Sequence, residues 1–179
     1  SGGQSIVVCW RPSPLLGLRG WSLLLNALSR LAEDLDAPVR WLAFHRHQDG
    51  ELLDWLTDQG VVPPGLRSRS TTVIPSSLDT VFASVRKARL VIPMRLHALI
   101  LARLAHCPMA ALSYDPKVEA AAAMAGIPCS SLDALPAEPT LLKQWREAMD
   151  SPADSDQIER IRAAAAHHGS HLRRYLPQR

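Results

Sequence analysis

Aromatic residues make up only 5% of this 179-residue chain. No run of lysine or arginine is interleaved with those few rings, so stacking platforms for single-stranded nucleic acid are not expected, and nucleic acid is not an expected partner. Cysteine occurs three times, at Cys9, Cys107 and Cys129, an odd number without a pattern. Each lies near the end of an apolar strand or helix. Buried free thiols in a reducing compartment are expected, rather than a disulfide framework or a zinc set. No apolar run is long enough to span a bilayer, since the longest is interrupted by Arg103 and His106. No basic-then-apolar segment opens the sequence, so no signal peptide is expected. Also missing are a Gly-x-Gly-x-x-Gly after the first apolar run, a P-loop, a Gly-x-Ser-x-Gly elbow and paired Cys-x-x-Cys motifs.

What is present is apolar residue in quantity, 47% of the chain, with a net charge of +3. That composition predicts a globular fold, and the length suits a single domain with a sizeable core. The mild positive balance fits an anionic small substrate or an acidic partner surface.

Apolar runs alternate with helical periods along the chain. Residues 5–10 (SIVVCW) read as a buried strand, stopped at Arg11-Pro12. Residues 21–35 carry Leu23, Leu24, Ala27, Leu28, Leu31 and Leu35 on one helical face. A second strand is expected at 39–44, then a polar loop from His45 to Gly50 and a short helix at 51–59 closed by Gly60. Residues 61–69, with Pro63, Pro64 and Gly65, read as loop, and 71–74 as a third strand. Ser76 or Ser77 can cap a helix at 78–87, with Asp79 in its first turn. Further strands are expected at 90–94, 109–112 and 127–129, the loop 130–139 follows, and helices are expected at 140–149 and 156–175. Six strands alternating with helices predict a doubly wound α/β domain, a mostly parallel sheet with helices on both faces. The whole chain, 1–179, is expected to form one Rossmann-like domain, with its core at 5–135 and C-terminal helices at 139–176.

The densest apolar stretch, LVIPMRLHALILARLAHCPMAALSYDPKV at 90–118, holds Arg95, His97 and Lys117 where strands hand over to helices. In parallel sheets ligands sit beyond the carboxyl ends of the strands, where both turns would lie. A strand ending near Pro93 or Met94 puts His97 in the first turn of its helix, and Asp115 as N-cap with Pro116 at the first helical position puts Lys117 in that of the next. Two helix N-termini side by side would favour an anion. A lysine in a helix's first turn is disfavoured by about 0.3–1 kcal/mol, so Lys117 there suggests a ligand-holding task. Arg95 could clamp the same anion bidentately. His97, among cations, would have a lowered pKa and could act as base or acid. The plainer alternatives stay open: a structural histidine, an Arg95 paired with an acid, a Lys117 reaching solvent, an Asp115-Pro116 that only caps. Arg11 could reach the same edge or be solvated. His167, His168 and His171 have metal-compatible spacing without a matching carboxylate, so a solvated face is expected and no metal site.

MRLHALI and SYDPKV, within the stretch running to Pro128, resemble the signature region of the polysaccharide pyruvyl transferase family. The likeness is specific over residues 90–128, and the layout of 5–135 is compatible with it. It implies the C-terminal half of an enzyme with a fold like GT-B glycosyltransferases. Such enzymes transfer pyruvate from phosphoenolpyruvate to a sugar of a cell-surface polysaccharide or its lipid-linked glycan precursor, forming a ketal. His97 is then the expected catalytic residue, and Lys117, Arg95 and Arg11 the expected substrate-binding ones. Phosphoenolpyruvate would be the donor substrate, with no further cofactor. Where family members often carry an acidic residue before the strand leading to Arg-Leu-His, this chain has Lys87-Ala88-Arg89. The resemblance covers only the family's C-terminal domain. An N-terminal domain is therefore an implied partner, and the isolated domain is expected to be inactive. The implied location is the cytoplasm, including its membrane face through peripheral association. Two other readings compete: the donor-binding domain of a sugar-nucleotide glycosyltransferase, and a non-catalytic anion-binding module.

Overall fold

A computed structural model describes residues 4–150. The long helix expected at 156–175 and the histidines at 167, 168 and 171 lie outside the described residues. Strand and helix alternate as the apolar pattern requires: β1 (Ser5–Cys9), α1 (Gly17–Leu35), β2 (Val39–Leu42), α2 (Leu52–Asp58), α3 (Pro64–Arg69), β3 (Ser70–Val73), α4 (Leu78–Arg86), β4 (Ala88–Pro93), α5 (Leu96–Leu104), β5 (Ala111–Ser113), α6 (Pro116–Ala125), β6 (Cys129–Ser131) and α7 (Glu138–Met149).

All strand pairs are parallel. Four strands form a sheet in the order β3-β2-β1-β4, and β5 pairs with β6. The two groups meet at a parallel bridge between Val91 and Met109. There Val91 donates to Pro108 O at 2.9 Å and accepts from Ala110 N at 3.1 Å. The spatial order is therefore 3-2-1-4-5-6, the doubly wound Rossmann-like arrangement, whose topological switch lies between β1 and β4.

Two cores follow from strand alternation. Ile6, Val8, Val39, Trp41, Leu90 and Ile92 face α1 and α7. Val7, Cys9, Val91 and Ala111 face the other way, where Val85, Leu99 and Val118 from α4, α5 and α6 complete a second core. Burial on both faces explains why these strands read as unbroken apolar runs rather than alternating ones.

Strand ends shift by one or two residues from expectation, and three further departures stand out. The loop expected at 61–69 contains α3, because Pro64 sits at the first helical position, where its missing N–H costs nothing. Leu66 is buried and α3 packs on α1, which stabilises so short a helix. The last strand is Cys129–Ser131 rather than 127–129, with Ser130 buried despite its polarity. Helix α1 begins at Gly17, one turn earlier than its apolar face indicated. Ser77 caps α4 by accepting from Thr80 N at 3.2 Å, and Gly126, at φ 67°, closes α6 in the left-handed region. Among the described residues no helix is long and apolar enough to cross a membrane.

Candidate functional site

The switch between β1 and β4 brings Arg11, at the exit of β1, and Arg95, at the exit of β4, to one sheet edge. The loop leaving β2 joins them. Its Asp49 is buried, and accepts from Arg95 Nε at 3.1 Å and Arg95 Nη2 at 2.8 Å. The two side chains are only 9% and 1% exposed, so this is a desolvated bidentate pair. The same carboxylate accepts from His45 N at 3.1 Å, while Asp49 N donates back to His45 O at 2.7 Å. Gly50 completes the tight loop: a Cβ there would stand 2.3 Å from Arg46 O, so no side chain fits without moving the backbone.

This pair changes the expected part played by Arg95. One edge of its guanidinium, Nε and Nη2, is committed to Asp49, which leaves Nη1 and the second N–H of Nη2. The histidine nearest these charges in the β2 loop is His45. Its pKa is lowered first by burial, then by the Arg95 guanidinium and, more weakly, by Arg11, with Asp49 opposing. Cys9 lies beneath the pair, and burial with the Asp49 charge holds its thiol protonated far above the ordinary range.

Arg95 is also the N-cap residue of α5, and its side chain does not cap that helix. Its ladder begins where Leu99 N donates to Arg95 O at 3.1 Å. The first turn of α5, from Leu96 to Ala98, precedes that bond and lies at the positive end of the helix dipole. His97 is half-buried at the second helical position. Lys117 holds the same position in α6, which packs beside α5, and is exposed. The two helix starts differ in one respect. Asp115 caps α6 by accepting from Lys117 N at 2.9 Å, so a carboxylate already occupies that terminus. One N–H of the α6 terminus is thus taken by the Asp115 cap, as expected of that residue, while Arg95 provides no such cap to α5.

Arg11 is neither idle nor simply solvated. Its Nη2 donates to Tyr114 Oη at 2.8 Å, and its guanidinium lies 5.5 Å from the ring centroid. Tyr114 follows β5, so this contact spans from the exit of β1 to that of β5. The edge thus carries Arg11, Arg95 and Lys117 against the carboxylates of Asp49 and Asp115, a surplus of positive charge suited to an anion. Sequence reasoning missed Asp49 and His45. Both stood in a polar loop, and only the fold brings Asp49 to an arginine 46 positions away.

The fold and this edge define a Rossmann-like α/β domain with a cationic site at its topological switch. No family model matches the chain, and no curated protein matches it.

Proposed function

We propose that this chain is the C-terminal, donor-binding domain of a polysaccharide pyruvyl transferase, acting with an N-terminal domain on a cell-surface sugar. The observation that carries the reading is the clustering of Arg11, Arg95, His97 and Lys117 at one sheet edge. There the positive end of the α5 dipole favours an anion. Phosphoenolpyruvate is a small, multiply charged anion of matching chemistry. The Arg-Leu-His and Asp-Pro-Lys segments supply the residues that the resemblance requires.

In the proposed reaction two sugar hydroxyl oxygens bond to the enol carbon of phosphoenolpyruvate and the carbon–oxygen bond to phosphate breaks. One hydroxyl proton ends on the methylene, which becomes methyl, and the other leaves with phosphate. His97 is the proton carrier, within a first turn whose dipole favours the anionic donor. Lys117 and Arg11 stabilise the departing phosphate, which is the larger catalytic contribution. Arg95, anchored by Asp49, is held in one orientation at the cost of two of its five N–H donors.

Calorimetric titration of the chain with phosphoenolpyruvate and, separately, with UDP-sugars tests the reading. Phosphoenolpyruvate binding that weakens about tenfold in Lys117→Ala is expected, a loss of about 1.4 kcal/mol. Tight UDP-sugar binding without any phosphoenolpyruvate heat would replace it with the glycosyltransferase reading.

A further inference from the structure

Beside the cationic edge lies a cleft of about 280 Å³, lined by Pro12, His47, Gln48, Glu51, Leu52 and Trp55. It sits between the exit of β1 and the first turns of α2, and the donor chemistry does not use it. Its volume is at the small end of ligand pockets, enough for one ring-sized molecule and too little for a dinucleotide.

Trp55 is the exceptional member. The chain has five tryptophans, and Trp10, Trp21, Trp41 and Trp145 are buried. Trp55 is 47% exposed and lines the cleft. A flat indole in a small cleft offers an apolar platform with no partner side chain described on it. Glu51 lies one helical turn before it, bonded through the backbone where Trp55 N donates to Glu51 O at 2.9 Å. Glu51 and Gln48 supply strong acceptors, Gln48 an amide donor and His47 a ring nitrogen. Neither lysine nor arginine lines the cleft. A phosphate-bearing ligand therefore finds no counter-charge in it, only the Glu51 carboxylate.

An apolar platform edged by a carboxylate, an amide and an imidazole, without a cation, matches a neutral polyhydroxylated ring. One face of a pyranose is lined by C–H groups and packs on an aromatic face, while its hydroxyls seek acceptors at the rim. We infer that this cleft is a binding subsite for a neutral hexopyranose, with Trp55 as its platform and Glu51 and Gln48 as its hydroxyl partners. The inference goes beyond the pyruvyl reading and does not need phosphoenolpyruvate to bind.

Trp55 gives the site its own reporter. The indole N–H resonances of the whole chain, with that of Trp55 assigned through Trp55→Phe, are followed during titration with the methyl glycosides of glucose, galactose and mannose. Saturable movement of the Trp55 signal alone, by at least one glycoside below about 50 mM, is expected. Glu51→Gln should weaken that binding at least fivefold. Both changed side chains are exposed, and an unchanged thermal midpoint in each variant verifies that the fold is kept. No movement with any glycoside by that concentration would overturn the inference. So would equal affinity in Glu51→Gln, or uridine or adenosine shifting Trp55 at tenfold lower concentration than every sugar. Because no donor is present, loss of this binding and loss of phosphoenolpyruvate binding are separate results.

Discussion

Replacing Arg95 with methionine removes one member of a pair that water hardly reaches. The remaining carboxylate of Asp49 is 1% exposed, and its retained partner is the His45 N–H. Breaking a buried pair on one side costs about 3–5 kcal/mol, because the surviving charge keeps its desolvation penalty without its counter-ion. Domain stabilities are about 5–15 kcal/mol, so the variant forfeits about a fifth or more of the total. At about 2–4 °C per kcal/mol for a chain of this size, the thermal midpoint falls by about 10 °C. Urea unfolding followed by far-UV dichroism measures the loss directly. The double variant Arg95→Met/Asp49→Leu, which removes both charges, should recover at least half of it. A cost below about 1 kcal/mol for Arg95→Met, at unchanged m-value, would refute the account of a desolvated, charge-locked loop. Recovery in the double variant separates the electrostatic cause from simple loss of packing.

If the proposed transferase activity is present, His97→Ala should lower turnover by about two to four orders of magnitude while dichroism and thermal midpoint stay near wild type; undiminished turnover would remove His97 from the site. The lowered pKa of His45 makes its unfolded form the stronger base. Its stabilising contribution is full above pH 6.5 and is lost as pH falls from there through its folded pKa. His45→Gln should therefore show a shallower fall of thermal midpoint between neutral pH and pH 5 than wild type, and parallel curves would disprove the linkage. The thiols should be inert. Burial pushes Cys107 and Cys129 up to about 11, and Cys9 further. At pH 8 a thiol of that pKa is about one part in a thousand thiolate. Ellman's reagent should find three thiols in guanidinium and react only slowly with the native chain; one fast native thiol would contradict the burial.

The strands were legible because burial on both sheet faces writes itself as short apolar runs, as in SIVVC and LVIP. Caps were legible where the signal is local: Ser77, Asp115 and Gly126 lie within four residues of the groups they bond. α3 was hidden because Pro63-Pro64-Gly65 resembles a loop, and only the burial of Leu66 against α1 favours helix there. Asp49 was hidden for a different reason. Local pattern marks Asp-Gly as a turn, and nothing near it announces an arginine from the exit of a strand two further along the chain. Trp55 was legible as a helical residue but not as an exposed one, since its neighbours Leu52, Leu53 and Leu56 carry the buried face. The candidate edge could thus be located from strand exits, while the distribution of charge within it required the tertiary pairing.

The bridge between Val91 and Met109 has a consequence for cooperativity. Between β4 and β5 the backbone contributes two hydrogen bonds, whereas β1 and β4 are paired along their whole length. The sheet therefore has a seam. Opening β5, β6 and α6 as a unit breaks little main-chain bonding and is resisted chiefly by side chains such as Met109, Ala111 and Val118 in the shared core. Arg11 and Tyr114 are stitched across that seam from outside. The tenure of the Arg11–Tyr114 contact is then tied to the least cooperative boundary in the domain, and the shape of the cationic edge to how tightly that boundary stays closed.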